Sequence, residues 1–322
     1  MKKSIYLLGM AVAALSSCSQ SDVVEMPESR AIGFSTFVNN NTRSVTDITK
    51  ENLTSFFVFG DYDEGASVAF NNTEVKGSVD ADYIPTNPAY WQTGKTYEFG
   101  AYSNGNEKLA GATFKNGTLT ISDYFVDDSK DLIAATASEV AAPQANAEQK
   151  VPLTFKHLLS KVKFTFSTTA VPEAYKMEVS NLKFNAIKTA ATCVFSSNAI
   201  STDWTGTKGD YAIATLEDYA VTGGKASTQD ILVIPQANTD IEASFTVTLY
   251  DQETGTKIKD NNFTASLNCT EWVEGFVYNY TATINPDQVD GQLKPITFTV
   301  TDVDPWQTKP DQGTTPTPVP QP

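Results

Sequence analysis

Apolar and polar residues alternate along most of this chain, nowhere more clearly than at Val151–Ser167 (VPLTFKHLLSKVKFTFS). Val151, Leu153, Phe155 and His157 fall on one side of an extended segment, with Pro152, Thr154 and Lys156 on the other. Further on, Val162, Phe164 and Phe166 are expected to point inward, and Lys161, Lys163, Thr165 and Ser167 outward. A period of two marks strands with one buried face. The phase slips by one residue around His157–Leu158, which would turn the wrong face inward unless a bend or bulge absorbs it. The pattern predicts two strand pieces joined by a kink, close to where one half of the protein passes to the other.

Shorter signals of the same kind flank this stretch. Ala31–Val38 (AIGFSTFV) is a strand with Ile32, Phe34 and Val38 in phase, and Asn39–Arg43 (NNNTR) is a loop by composition. Phe56–Phe59 reads as a buried strand without alternation. A Gly94 turn leads into a strand with Tyr97, Phe99 and Ala101 inward, and an Asn116-Gly117 turn into one carrying Leu119 and Ile121. Leu132–Ala135 is another apolar run, whereas Ser138–Gln149 reads as a loop because Pro143 interrupts its helix-compatible composition. Downstream, strands are predicted at Lys176–Val179, Leu182–Ile187, Cys193–Phe195, Tyr211–Leu216, Ile231–Ile234, Phe245–Tyr250, Phe276–Ile284 and Ile296–Thr301. Many short strands separated by turns, with no amphipathic helix of useful length, mean an all-β chain of β-sandwich domains.

A weak repeat divides the chain. Trp91-Gln-Thr-Gly94-Lys-Thr-Tyr97-Glu-Phe99 and Trp272-Val-Glu-Gly275-Phe-Val-Tyr278-Asn-Tyr280 share W-x-x-G-x-x-Y-x-aromatic. One copy on each side of the central stretch suits two related sandwiches, residues 31–150 and 151–306, followed by a Pro- and Thr-rich tail at 307–322.

Composition narrows the function classes. A formal net charge of −15 with no basic stripe argues against nucleic acid as a partner. Arginine occurs only as Arg30 and Arg43, both near the N-terminus. Lys2 and Lys3 precede an apolar run, Ile5–Leu15, too short to span a bilayer, so Met1–Ser17 reads as a signal peptide. Leu15-Ser16-Ser17-Cys18 resembles a bacterial lipobox. That resemblance implies cleavage before Cys18, a lipid on its sulfur and acylation of its amine (a palmitate-type chain). Two or more chains anchor stably, and residues 18–30 would form a polar tether.

Candidate chemistry is sparse. His157 is the only histidine, and on an apolar strand it reads as a hydrogen-bonded core or interface residue. Asp127, Asp128 and Asp131 lack the spacing of an EF-hand and read as a solvated turn, the alternative being a calcium loop. Cys193 and Cys269 stand outside any metal spacing and read as small buried residues in strands or, in an exported chain, as a disulfide pair. Gly223-Gly224-Lys225 is a turn and no P-loop. No active site, metal or cofactor is expected, and the chain does not read as an enzyme. Trp204, Trp272 and Trp306 would serve a glycan platform if exposed, and the core otherwise.

Several of these pieces together resemble the fimbrillin family, the lipoprotein-derived type V pilins of Gram-negative gut and oral bacteria. The matching stretches are the lipobox at Cys18, Ile32–Arg43, Trp91–Tyr102, Asp131–Ala134, Phe155–Phe164 (FKHLLSKVKF), Ile234-Pro235-Gln236, Trp272–Ile284 and Ile296–Trp306. The resemblance implies two tandem transthyretin-like β-sandwich domains and export as an outer-membrane lipoprotein. It also implies assembly by strand exchange. An Arg-specific protease cuts after the first strand, that strand leaves, and a strand of another fimbrial subunit fills the groove. A head-to-tail contact of this kind grows a filament. Mapped onto this chain, Ile32, Phe34 and Val38 lie on the removable strand, and Arg43-Ser44 is the candidate scissile bond, the alternative being a solvated loop arginine. Cell adhesion through a host or bacterial surface receptor would follow, in the role of stalk, tip or anchor; a glycan-binding surface lipoprotein that does not polymerise is the second reading.

Overall fold

The computed structural model describes residues 30–38, 47–143, 149–168, 175–200, 204–213, 219–220, 225–237, 241–267, 269–285, 289 and 298–305. Cys18, Arg43, Ser44, Trp306 and the 307–322 tail lie outside the described residues. The first strands are β1 (Gly33–Val38), β2 (Ser55–Tyr62), β3 (Ser67–Ser78), β4 (Ala81–Pro85), β5 (Thr96–Asn104), β6 (Ala112–Lys115), β7 (Thr118–Phe125), β8 (Leu132–Ala141) and β9 (Lys150–His157). Then come β10 (Ser160–Ser167), β11 (Tyr175–Ser196), β12 (Ala199–Ile200), β13 (Thr205–Ala212), β14 (Tyr219–Ala220), β15 (Lys225–Ser227) and β16 (Ile231–Val233). The last are β17 (Gln236–Ala237), β18 (Glu242–Asp251), β19 (Lys257–Ser266), β20 (Glu271–Trp272), β21 (Phe276–Thr283) and β22 (Phe298–Pro305).

The described chain is all-β, as its alternation predicts. Seven strands close into a barrel in the order β1-β4-β3-β2-β5-β8-β9, around Phe34, Phe56, Val58, Phe70, Trp91, Tyr97, Phe99 and Phe155. A second core lies between the sheet β15-β10-β21-β22 and the sheet built on β19-β18-β11, where Phe164, Phe166, Phe184, Phe245, Trp272 and Tyr280 meet. A third apolar layer joins the two. The outward faces of β2 and β5 supply Phe57, Phe59 and Tyr102, which pack with Leu119, Ile121, Leu158, Leu159, Cys193, Phe195 and Trp204. This layer explains why Phe56–Phe59 shows no alternation: both faces of β2 are buried.

The kink at His157–Leu158 is the passage between units. β9 pairs with β8 and β1 in the barrel, while β10 pairs with β16, β15 and β21. The division expected near residue 150 would assign β9 to the second unit, but β9 is a strand of the barrel, and the chain leaves the barrel only at Leu158 and Leu159. The β6–β7 hairpin also crosses between units, since β7 pairs with β11 from Ser196↔Thr118 to Ala190↔Phe125.

Three expectations need correction. Ser138–Ala141 is strand, not loop, because a bulge with Glu139 at φ 55° lets β8 continue beside Thr96–Phe99. The runs at 176–179, 182–187 and 193–195 are one strand, β11; Asn181 and Ala186, at φ 53° and 55°, break its period without ending it. Lys161 is not outward but 1% exposed, because the outer face of β10 there is covered by the third layer and by Asp47. Strands β3, β4 and β19 were not predicted at all; β3 has only Phe70 and Val75 fully buried.

The Trp-Gly-Tyr repeat is one corner built twice. Gly94 and Gly275 take φ of 80° and 74°, a conformation that side chains rarely adopt. In each copy a buried tyrosine closes the corner: Gln92 N donates to the Tyr97 hydroxyl at 3.0 Å, and Val273 N to the Tyr278 hydroxyl at 2.8 Å. The last aromatic sets the difference between copies. Tyr280 accepts from Trp272 Nε1 at 2.9 Å, whereas Phe99 has no hydroxyl and Trp91 Nε1 has no acceptor among the described residues. Tyr97→Phe and Tyr278→Phe are each expected to lower unfolding free energy by about 1–2 kcal/mol, as each orphans one backbone N–H. Urea denaturation checks this, and a loss at only one corner would break the equivalence.

Candidate functional site

β1 fills a gap that would otherwise open the barrel. It runs parallel to β9 through six residue pairs, Gly33↔Lys150 to Val38↔Phe155, and meets β4 antiparallel at Phe34↔Tyr83. Its apolar phase is the predicted one, with Ile32, Phe34 and Val38 at 1%, 1% and 0% exposure and Phe37 outward at 49%. The Phe34 ring lies edge-on to Phe56 and Phe99, each at 5.8 Å, and 5.7 Å from Phe70. Arg30 clips the strand's entry to the first corner: its guanidinium donates to the Trp91 carbonyl (2.7 Å) and to Thr93 Oγ1 (2.9 Å).

The segment that follows is held by different forces. Residues 39–46, with Arg43 and Ser44, lie outside the described residues, and the chain re-enters at Asp47. The Asp47 carboxylate forms an ion pair with Lys161 at the start of β10, and Asp230 lies 3.9 Å from the same ammonium. Ile48 N donates to Asp131 Oδ2 (2.9 Å), which also bonds His157 Nδ1 at 2.7 Å. Asn52 ties the turn, donating to the Asp47 carbonyl and accepting from Thr49 N. Asp47, Asp131, His157 and Lys161 are all at most 1% exposed. Burial raises the Asp47 carboxyl above its ordinary range, with Lys161 opposing and Asp131 reinforcing the rise. The site thus has two parts, a strand seated by backbone pairing and apolar packing, and a charged anchor just beyond the loop.

Of the residues singled out in the sequence, Arg30, Ile32, Phe34, Val38, Asp131 and His157 fall in this arrangement. Asp47 and Lys161 were missed, because their contact spans 114 positions and Lys161 alternates with the outward residues. The acids of the 127–131 turn diverge. Asp127 accepts from Ser129, Asp128 from the Tyr211 hydroxyl, and Asp131 is buried against His157, so this is not a solvated turn throughout. Cys193 and Cys269 are not disulfide-bonded; Cys193 is buried, which pushes its thiol up to about 12, and half-buried Cys269 lies outside the strands. Trp204 and Trp272 are each 1% exposed and build the cores, which removes them as a glycan platform.

No curated protein matches this chain. Among solved structures, a fimbrial protein from Bacteroides vulgatus ATCC 8482 is similar in fold, with a TM-score of 0.52 at 16% identity, covering 86% of this chain and 100% of that one. A protein from Bacteroides ovatus ATCC 8483, named "putative cell adhesion protein", gives 0.51 at 16% identity over 87% and 99%. Another of that name, from Bacteroides uniformis ATCC 8492, gives 0.50 at 19% identity over 86% and 99%. The fimbrillin-like family model matches residues 42–306, well over half of the sequence, and the chain belongs to that family.

Proposed function

We propose that this protein is a structural subunit of a cell-surface fimbria, exported as an outer-membrane lipoprotein through Cys18 and assembled by exchange of its first strand. Family membership supports the fimbrial and adhesive role. The observation that carries the assembly step is the division of labour on either side of residues 39–46. β1 is seated by strand pairing and packing, with Arg30 and Ile32 just before it bonded to Ala89, Trp91 and Thr93, while Asp47 and Ile48 are pinned independently on the far side of the loop. A cut at Arg43-Ser44 would free the strand from the chain and leave the new N-terminal segment anchored. Loss of β1 would bare the backbone edges of β4 and β9 and the apolar trough under Ile32, Phe34 and Val38, which a strand of another subunit fills. The partners are other fimbrial subunits, an Arg-specific protease and the outer membrane, with a surface receptor at the adhesive end. The role is structural and not catalytic.

Limited proteolysis of the unlipidated chain with a trypsin-like protease tests this. We expect cleavage at Arg43, loss of residues up to 43, and oligomers on sizing. Cleavage without oligomers would place the subunit at the tip or anchor. An Arg43 that resists the protease in a folded monomer would refute strand exchange.

A further inference from the structure

Two side chains meet across the outer face of β1. In the closed order of the barrel β4 and β9 are each neighbours of β1 and not of one another. Even so, Lys150 at the start of β9 forms an ion pair with Asp82 of β4. The register fixes where the pair crosses. Gly33 stands opposite Lys150, and Phe34 opposite Tyr83, so the pair passes over the Gly33 end of the strand. Tyr83 and Val151 point into the barrel, and their neighbours Asp82 and Lys150 therefore point out.

The lysine stem lies against the strand itself. A β-carbon on Gly33 would be 3.7 Å from Lys150 Cγ, within van der Waals contact. Gly33 is not among the glycines at positive φ, so backbone conformation does not call for it. A glycine inside a strand often marks a close approach by another group, and here that group is the stem of Lys150. On the inner side, Phe56, Phe70 and Phe99 fill the space around Phe34, so β1 can leave only outward, where the ion pair lies. A cut at Arg43 would free the Val38 end of the strand. The pair holds the opposite end, next to Arg30 with its bonds to Trp91 and Thr93.

We propose that Lys150 and Asp82 form a salt-sensitive clasp over β1 that slows its departure after the cut. Their side chains are 49% and 65% exposed, so the pair is weak and open to screening: it sets a rate and does not lock the strand. The effect on departure rests on the strand-exchange reading, whereas the hold on β1 in the uncut chain does not.

Amide hydrogen exchange of β1 in the uncut, unlipidated chain tests the clasp. In low salt, Lys150→Met and Asp82→Asn are each expected to speed exchange of the hydrogen-bonded β1 amides about two- to fivefold, and the double variant no further. In about 1 M sodium chloride, where charges are screened beyond about 3 Å, most of the difference should vanish. The two substitutions move the net charge of −15 in opposite directions, so a common acceleration separates the clasp from a general charge effect. Lys183→Met, which breaks a similarly exposed pair with Asp210 between β11 and β13, should leave the β1 amides unchanged. After the cut, both clasp variants should lose the peptide faster by the same factor. Unchanged exchange, changes of opposite sign, or additive effects in the double variant would overturn the clasp and leave strand exchange standing. Faster exchange in both variants, with a cut chain that never releases its peptide, would refute strand exchange and with it the effect on departure, and leave the tie over β1.

Discussion

Replacing Lys161 by alanine is expected to cost the fold about 3–5 kcal/mol, among the largest single-residue effects in the molecule. The side chain is 1% exposed, and its removal leaves the buried Asp47 carboxylate without its cation. Asp47 would then face Asp131 across the anchor, a second carboxylate that already raises its pKa. The reverse substitution is milder. In Asp47→Asn the ammonium keeps Asp230, 3.9 Å away and 14% exposed, as a partner. We therefore expect Lys161→Ala to cost more than Asp47→Asn, and Asp47→Asn with Lys161→Met to recover most of the loss, since no charge is then buried alone. The pH dependence has a defined sign. With Lys161 gone, the folded state favours a protonated Asp47, whose pKa rises further above the ordinary 3.8. The folded variant then binds more protons than the unfolded one, so its stability rises as pH falls through that raised value. The deficit against the parent should narrow between pH 7.5 and about pH 5. Guanidinium titrations at the two pH values check this, and a constant deficit would mean that lost packing, not charge, sets the cost.

This anchor also marks where the sequence stops being legible. Strands that bury one face announce themselves: Val151–His157 and Phe276–Ile284 keep their alternation because one side meets a core and the other water. The kink at 157–158 was readable for the same reason, as two phases of one pattern. β19 was not readable, since most of its face is exposed and only Phe263 and Ala265 are buried. β11 was cut into pieces because bulges shift its phase. Lys161 defeated the pattern in another way: it sits in the polar phase, and what covers it comes from a segment far away in sequence. The Trp-Gly-Tyr corners carried more than their spacing implied, since Tyr97 and Tyr278 close the same hydrogen bond. Of the assembly site, the phase of Ile32, Phe34 and Val38 was legible, and the charges that pin the chain beyond it were not.

Phe34→Ala should show whether β1 is a core strand or a detachable one, because its effect depends on whether the chain has been cut. In the intact chain the substitution empties a space shared with Phe56, Phe70 and Phe99 and is expected to cost about 3–5 kcal/mol. Phe37→Ala on the same strand is the control: at 49% exposure it should cost no more than about 0.5 kcal/mol. After cleavage at Arg43 the strand is no longer tethered, and its pairing with β9 and β4, its buried side chains and the bonds of Arg30 and Ile32 to Ala89, Trp91 and Thr93 retain it. The same free energy then appears as weaker retention of the released peptide, about 10²- to 4 × 10³-fold for Phe34→Ala and little for Phe37→Ala. Once the peptide has left, the remaining chain should have the same stability whichever residue stood at position 34. Urea unfolding of the uncut chains, with peptide release followed by chromatography after cutting, gives both quantities. Equal effects of the two substitutions would mean that inward packing does not hold β1. A cut chain that keeps its peptide indefinitely in both variants would rule out β1 as the strand that leaves.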